Sequence, residues 1–263
     1  MLRLSTRTIT TLMGAALLAL AACGGGQPEQ EPAQNKAADI IRQAVAAHGG
    51  EHADRVKISY DFREYHYTII LNGGMFQYER ERPDSAGYIR DVLNNDGFYR
   101  EIDGVRVDLP EETAADYSFS LNAVSYFMLL PFKLTDTAVQ ARYLSEATVK
   151  GEPYHEIEVT FRQEGGGRDY QDRFVYWFHR DRHTMDYFAY DYETGDSGTR
   201  FREAYNARTL GGIRFQDYLN FTSPVIAAPG DPIEQMDSLL DIQELDTVSV
   251  IEKTGIVVEE IDE

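Results

Sequence analysis

The chain has 263 residues, of which 44 are Asp or Glu and 25 are Lys or Arg, and its formal net charge at pH 7 is −19. A surface this acidic repels phosphate backbones, which excludes nucleic acid as a partner. Because Cys23 is the only cysteine, the chain has no internal disulfide, and its stability must come from a hydrophobic core.

The first 22 residues have the organisation of a secretory signal peptide. Two arginines precede an apolar run over about residues 9–20, which is shorter than the ~20 residues that span a bilayer. The sequence Leu-Ala-Ala-Cys at 20–23 resembles the lipobox of bacterial lipoproteins. In that family the cysteine becomes the first mature residue and carries diacylglycerol on its sulfur. The resemblance implies that a lipid on Cys23 attaches the protein to a membrane; the alternative is an ordinary signal peptide followed by an unmodified thiol.

Residues 23–36 contain Gly, Gln, Pro and Glu and few apolar side chains, which predicts a flexible tether after the lipidated cysteine. A single domain is predicted over 37–263, because β-rich domains of this size often fold as one unit. It begins with a helix over 37–48 that Gly49-Gly50 ends. One face of this helix comprises Ile40, Ile41, Ala44, Val45 and His48.

Strand signals dominate the chain from Val56 to Thr222. Segments rich in aromatic and β-branched residues recur about every ten residues between turn residues, which predicts an antiparallel meander. The first segment reads as one long strand over 56–71, and Asn72-Gly73 after it is a strong hairpin signal.

The C-terminal part of the chain, from about residue 223, reads as an irregular extension of the domain. A short helix is predicted over 233–239 and a last strand over 245–250. The acidic residues 259–263 are expected to form a frayed end.

One segment interrupts the strands and reads as a helix from Pro110 to Leu130, with two glutamates in its first turn, where carboxylates suit the helix dipole. From Leu121 onward the helix is apolar on nearly every side, and such a helix belongs in an interior. Strand segments 174–178 and 187–190 do not alternate apolar with polar side chains, so both of their faces must be covered. We therefore predict a mainly β (α+β) fold in which a single curved antiparallel sheet, a half-barrel, wraps around a buried apolar helix.

Two resemblances support this fold. The segment from Ile40 to Gly50, followed by a long strand, resembles the start of LolA/LolB-like outer-membrane lipoprotein-sorting domains, whose fold is a half-barrel around helices with an apolar cavity that holds acyl chains. Residues 37–222 also resemble an uncharacterised family of Bacteroidota-type lipoproteins. The matching segments are 89–98, 126–131, 163–167 and 201–206. These resemblances imply the half-barrel and add no catalytic residue.

The resemblance to lipoproteins also implies a location. Gly24 follows Cys23 at the position where many Gram-negative bacteria place an Asp in lipoproteins that stay at the inner membrane. The residue found here therefore implies a lipid-anchored protein of the outer membrane, and the periplasmic face is favoured over the cell surface.

The sequence contains no pattern that identifies an enzyme. His48 and His52 have the spacing of a metal pair on a helix, but the two glycines between them interrupt the helix. No Gly-x-Ser-x-Gly elbow is present, and carboxylates are too abundant for any pair to be informative. Strand residues such as Asp217 and Arg202 are expected on a solvated outer face in cross-strand ion pairs. We predict no catalytic residue, no metal site and no cofactor.

The predicted binding site is an apolar groove between the sheet and the central helix. Its predicted walls are Phe127, Met128, Trp177 and Tyr190. A narrow polar stripe on the same helix consists of Ser118, Asn122 and Ser125. These three side chains either hydrogen-bond a closely packed strand, which we favour, or line the groove as its polar groups.

The groove predicts a non-catalytic, lipid-anchored binding module for a lipid or another apolar ligand. Two other functions remain compatible with the sequence. One is a packed structural or protein-partner-binding lipoprotein without a cavity, whose partner the sequence does not identify. The other, the least supported, is a hydrolase that uses two strand carboxylates, one of them with a raised pKa.

Overall fold

The computed structural model of the protein describes residues 30–168, 170–193 and 197–261. The predicted signal peptide over 1–22 and the predicted lipidation site Cys23 lie outside these residues. Within the described ranges, no helix is both long and apolar enough to cross a membrane.

Two antiparallel sheets account for most of the described chain. The first sheet contains β1 (Arg55–Phe62), β2 (Tyr65–Asn72), β3 (Met75–Asp84), β4 (Gly87–Asn94), β5 (Gly97–Ile102), β6 (Val105–Val107) and β14 (Thr254–Glu260). The second sheet contains β7 (Val139–Val149), β8 (Glu152–Phe161), β9 (Phe174–His179), β10 (Met185–Tyr192), β11 (Gly198–Leu210), β12 (Ile213–Thr222) and β13 (Asp246–Ile251). The strand orders are β14-β1-β2-β3-β4-β5-β6 and β13-β12-β11-β10-β9-β8-β7, so each sheet is largely a meander of sequential neighbours.

Three α-helices accompany these sheets in the described chain: α1 (Gln30–Ala47), α2 (Glu111–Met128) and α3 (Met236–Asp241). Because α1 begins at Gln30, residues 30–36 are helical and do not belong to the predicted flexible tether. The predicted Gly-Gly end of this helix is confirmed: Gly49 has a φ of 86°. A Cβ at Gly49 would clash with the carbonyl oxygen of Gly212, so glycine allows the end of α1 to approach the start of β12 closely.

The predicted long strand over 56–71 is wrong, because the chain reverses in its middle. β1 and β2 pair with each other, and the two residues between them are Arg63 and Glu64. Arg63 adopts a φ of 55°, a conformation that glycine or asparagine usually supplies in such turns. The turn carries neither residue type, which is why the sequence pattern did not indicate it.

α2 lies between the two sheets, in the position predicted for the apolar helix. Leu121 packs with Ile58 of the first sheet, and Phe127 packs with Phe188 of the second. Leu121 and Leu129 are 0% and 1% exposed. Burial of each such side chain contributes about 1.5–3 kcal/mol, so the C-terminal half of this segment stabilises both sheets at once.

The C-terminal segment covers the outer face of the second sheet, opposite α2. Trp177 packs there with Ile233, Met236 and Leu240. The predicted irregular extension is therefore an integral layer of the core. It buries the outer face of strands whose sequences are apolar on both sides.

β13 and β14 join the two sheets, because only Glu252 and Lys253 separate them. β13 pairs with β12 of the second sheet, and β14 pairs with β1 of the first. Sequence analysis did not predict β14, and Glu259 and Glu260 of the predicted frayed end belong to it. The mainly β, antiparallel fold is confirmed, and the sheets are open and curved. Their hydrogen bonds, however, form two sheets instead of the single one predicted, since the chain bends at Lys253 and stops pairing with β12.

Candidate functional site: a pocket between the central helix and the second sheet

A pocket of about 200 Å³ lies between α2 and the second sheet, at the point where β8 ends and β9 begins. Five of its fourteen lining residues are aromatic, namely Phe119, Tyr126, Phe127, Phe161 and Phe174, and five more are alanine or glycine. Asn122 adds one amide to the helix side. Lys133 and Asp136, whose Nζ and Oδ2 atoms lie 3.2 Å apart, add an ion pair. Apolar walls with a few polar groups are typical of ligand pockets.

The loop between β8 and β9 closes one side of this pocket. The Nη1 atom of Arg168 lies 2.7 Å from Oδ1 of Asp116, and its Cζ lies 5.2 Å from the ring centroid of Phe119. Both partners belong to α2, so these contacts fasten the loop to the helix. A Cβ at Gly166 would clash with the carbonyl oxygen of Arg162, and glycine is therefore required for the compact course of the loop.

The ring of Phe127 stands between the pocket and the inner face of the second sheet. Its centroid lies 5.7 Å from the centroids of Phe188 and Tyr190 and 6.5 Å from that of Phe174. The guanidinium of Arg202 lies over the same ring, with Cζ 4.4 Å from the centroid. Stacking of this kind is attractive because the ring face is electron-rich. Phe127 therefore connects the apolar pocket to a charged group on β11.

Arg202 lies on the inner face of the second sheet, so its predicted place on a solvated outer face is wrong. Arg202 is paired with Phe188 of β10, and the side chains of directly paired residues lie on the same face of a sheet. Because the ring of Phe188 packs against Phe127 of α2, both side chains point inward. Nη2 of Arg202 donates a hydrogen bond to the Tyr190 hydroxyl at 2.9 Å. The buried Nε has no hydrogen-bond partner among the described residues.

The structure brings together part of the predicted groove. Phe127 and Asn122 line the pocket, and Tyr190 packs against Phe127 immediately behind its wall. Met128 is buried against the first sheet instead. The pocket therefore uses the face of α2 that is directed toward β8, β9 and β10.

Trp177 requires a correction, because it lies on the opposite face of the second sheet from α2. Side chains alternate along β9, and Phe174 and Tyr176 occupy the inner face. Trp177 consequently points outward and packs beneath the C-terminal segment. The sequence showed that both faces were covered but did not show which one α2 covers.

The three members of the polar stripe have different surroundings. Asn122 is exposed and lines the pocket, whereas Ser118 is half-buried and does not line it. Ser125 is buried, and its Oγ has no hydrogen-bond partner in the described part of the chain. The favoured interpretation, hydrogen bonding to a nearby strand, therefore fails for Ser125. Another serine of α2, Ser120, does reach a strand: its hydroxyl accepts a hydrogen bond from Nη1 of Arg80 at 3.0 Å.

A buried ion triad of Arg80, Asp91 and Arg100, which was not predicted from the sequence, holds the first half of α2 on the first sheet. Asp91 is 0% exposed and accepts hydrogen bonds from Nε of Arg80 at 2.8 Å and from Nε of Arg100 at 2.6 Å. The Arg100 guanidinium lies over the ring of Tyr117 in α2, with Cζ 3.9 Å from the centroid. The available signal was strand periodicity: Arg80 comes two residues after the core residue Tyr78 and must share its face.

A pair of carboxyl groups is buried on the outer face of the second sheet. Nε1 of Trp177 donates to Oε1 of Glu156 at 3.0 Å and to Oδ2 of Asp237 at 3.3 Å. Burial raises the pKa of both carboxyl groups, and the charge of Asp237 adds to the shift of Glu156. The two residues are only 6% and 7% exposed, at the contact between α3, which carries Asp237, and the outer face of the second sheet. At this exposure neither carboxyl group is open to a substrate.

The described residues contain no group of three or more His, Cys, Asp or Glu side chains placed to hold a metal ion. His48 serves the packing of α1. Its Nε2 accepts a hydrogen bond from the Met185 N–H at 3.1 Å, and its carbonyl accepts one from the Arg214 N–H at 2.9 Å. Burial, assisted by the charge of Arg214, lowers the pKa of His48 to about 3. His48 is therefore neutral at pH 7.

These features define an open half-barrel of antiparallel strands with a helix and a small pocket on its concave side. The chain belongs to a family of unknown function, DUF6503, whose match spans residues 30–253. A comparison with curated proteins found no match.

Solved structures similar to this chain include the following two. A DUF1329 family protein from Desulfovibrio piger is 11% identical, with 85% of this chain and 92% of that chain covered and a TM-score of 0.52. The LolA superfamily protein NE2245 from Nitrosomonas europaea is 12% identical, with 86% of this chain and 94% of that chain covered and a TM-score of 0.49. At such identities a likeness concerns the fold alone, and the first of the two supports the half-barrel.

Proposed function

We propose that the protein is a non-catalytic binding module that holds one apolar chain, such as the tail of a lipid, in the pocket beside α2. The observation that carries this proposal is the set of aromatic rings that α2, β8 and β9 direct into one space beneath a fastened loop. An apolar chain gains about 0.8 kcal/mol for each CH₂ group that it buries. Such walls suit an alkyl chain better than a polar metabolite.

The size of the pocket limits the ligand. At about 200 Å³ it is smaller than the roughly 300–1,000 Å³ of sites that enclose drug-sized molecules. A single chain fits this limit, whereas a complete diacyl lipid does not. Any head group of the ligand therefore lies outside the aromatic walls.

The predicted hydrolase has less support than a binding module. Two carboxyl groups with raised pKa values, Glu156 and Asp237, are buried where α3 packs on the face of the second sheet that does not meet the pocket. A general acid must reach its substrate. The packed structural or partner-binding protein becomes the better interpretation if the pocket binds no apolar ligand.

We also propose that lipid on Cys23 anchors the protein to the periplasmic face of the outer membrane. The support is the Leu-Ala-Ala-Cys sequence at 20–23 and Gly24 after it. In cells fed labelled palmitate, the full chain should incorporate label and sediment with outer membranes. Cys23→Ser should do neither, and a Cys23→Ser protein that still carried the label would refute the anchor.

Binding is tested with a variant in which a large side chain on α2 occupies the pocket. Ala123→Trp places a large ring in the pocket, while Ala115→Trp makes the same change at an exposed position of α2. Titration with cis-parinaric acid, a fluorescent fatty acid, should show saturable binding to the wild type and to Ala115→Trp. Ala123→Trp should lose binding while its circular dichroism spectrum stays unchanged. Absence of saturable binding to the wild type would reject the proposed function.

A further inference from the structure

Among the described residues of this acidic protein, Arg202 is a cation without an anionic partner. The chain has 44 acidic residues, yet no carboxylate of the described part pairs with this guanidinium. Its surroundings are aromatic, with Cζ 4.4 Å from the ring centroid of Phe127, 5.2 Å from Phe188 and 5.3 Å from Tyr190. Stacking satisfies the faces of the guanidinium but none of its N–H donors.

The N–H donors of Arg202 are mostly unused. Within the described chain, its guanidinium makes one hydrogen bond, from Nη2 to the Tyr190 hydroxyl, and the buried Nε makes none. A buried donor without an acceptor costs about 1–3 kcal/mol, and more when it is charged. This arrangement is destabilising unless an acceptor from another molecule occupies the site.

A second basic side chain borders the same aromatic cluster. Lys253 is buried, and its Nζ donates to the carbonyl oxygen of Gln216 at 3.0 Å and lies 5.0 Å from the ring centroid of Tyr218. The ring of Tyr218 lies 5.3 Å from that of Phe188, on which Arg202 stacks. Both basic side chains therefore border one aromatic cluster. Burial lowers the pKa of Lys253 to about 7, so Lys253 carries only part of a positive charge at neutral pH and Arg202 is the main cation of the cluster.

We infer that Arg202 binds the carboxylate of an amphiphile whose alkyl chain occupies the pocket beside α2, an inference that rests on the proposed function. Phe127 and Phe174 line the pocket, and both pack against Tyr190, which holds the guanidinium. Arg202 does not itself line the pocket, so the ligand must pass the edge of the Phe127 ring to bring its anionic end to the guanidinium. Arg202 and Tyr190 are only partly buried, so the charged end keeps contact with water.

The guanidinium geometry favours a carboxylate. Its planar N–H groups match the two oxygens of a carboxylate, and such charged pairs are roughly twice as strong as neutral hydrogen bonds. A phosphate ester offers similar oxygens, and an alkyl phosphate is therefore the competing ligand in the experiment. An alcohol of the same chain length keeps the apolar part and removes the charge.

The experiment measures displacement of the neutral fluorescent probe aminoanthracene by dodecanoic acid, dodecanol and dodecyl phosphate. Dodecanoic acid should bind the wild type roughly tenfold or more tightly than dodecanol. Equal affinities for the acid and the alcohol would overturn the role of Arg202 and leave the apolar pocket intact. Tighter binding of dodecyl phosphate than of the acid would overturn the choice of a carboxylate. Absence of binding by all three would reject the proposed function itself.

Variants of Arg202 test whether this residue causes the preference for the acid over the alcohol. Arg202→Met should weaken the binding of dodecanoic acid about tenfold and leave the affinity for dodecanol unchanged. Arg202→Lys should retain part of the preference for the acid, because lysine keeps the charge but lacks the planar N–H groups of the guanidinium. Arg106 is a matched control: it is exposed on the first sheet and stacks on Tyr99 with Cζ 3.7 Å from the centroid. Arg106→Met should bind all ligands as the wild type does. An equal loss of acid and alcohol affinity in Arg202→Met would mean that Arg202 only supports the wall, and would overturn the inference.

Discussion

Asp217 accepts a hydrogen bond through Oδ1 from the backbone N–H of Lys253 at 3.0 Å, at the point where the chain leaves the second sheet and enters the first. Arg208 completes this contact. Its Nη1 lies 2.9 Å from Oδ2 of Asp217, and its Nη2 donates to the carbonyl oxygen of Lys253 at 2.7 Å. The side chains of Asp217 and Arg208 thus satisfy the backbone N–H and carbonyl groups of Lys253, which have no strand partner at the bend.

Replacement of Asp217 should therefore weaken the junction between the sheets. Asp217→Ala removes the anionic partner of Arg208 and leaves the buried Lys253 N–H without an acceptor. We expect the free energy of unfolding to fall by about 2–3 kcal/mol. Urea titration measures this change. Asp61→Ala, which removes an exposed carboxylate paired with His66, should cost less than about 1 kcal/mol. Similar losses in the two variants would contradict the structural role of the bend.

His48 should make the protein less stable in mild acid. Its pKa falls from the ordinary 6.5 to about 3 in the folded state, so below pH 6.5 the unfolded chain takes up a proton that the folded chain does not. Between about pH 7.5 and about pH 5, this difference should lower the free energy of unfolding by about 2 kcal/mol. His48→Gln keeps an acceptor for the Met185 N–H and does not titrate. Its stability should fall less over the same range, and an identical pH profile would contradict the prediction.

The buried carboxyl of Asp237 should have the opposite pH dependence. Because burial raises its pKa, the folded state disfavours the charged form, and stability is lost as the pH rises through the raised value. Asp237→Asn should stabilise the protein at neutral pH by on the order of 1 kcal/mol. The gain should vanish below the ordinary pKa of 3.8.

Trp177 offers a direct measurement of this effect, since it is the only tryptophan and its indole N–H contacts Asp237. Its fluorescence during urea unfolding reports the stability of the layer that covers it. Asp39→Asn, at an exposed position of α1, serves as the control and should leave stability unchanged. Destabilisation of Asp237→Asn at neutral pH would show that its charge is needed.

The loop over the pocket should slow ligand release. Arg168→Ala removes the contacts with Asp116 and Phe119, and we expect cis-parinaric acid to dissociate several-fold faster in stopped-flow measurements. Unfolding stability should change by less than about 1 kcal/mol, because the ion pair is exposed. Arg180→Ala breaks another exposed pair, with Glu146. It should leave the dissociation rate unchanged; faster release from both variants would exclude a specific role for the loop.

Features that depend on neighbouring residues could be predicted from the sequence, whereas features that depend on residues far apart in the chain could not. The apolar run from Leu121 predicted a buried helix because the helix is apolar on all sides, and no partner had to be known. Trp177 was misplaced because a strand with two apolar faces does not indicate which face meets which layer. Arg202 was misplaced because isolated arginines in strands usually face solvent, and only its pairing with Phe188 turns it inward.

Local pattern was sufficient for the acidic surface, the antiparallel meander and the interior helix, since charge, turn chemistry and side-chain periodicity are properties of neighbouring residues. The pocket, the unpaired guanidinium behind it and the passage of the chain between two sheets required the folded molecule. Each of them joins residues far apart in the chain, such as Phe127 with Arg202 and Asp217 with Lys253. Their proximity depends on strand register and on which layer covers which face, and neither is encoded within a single segment.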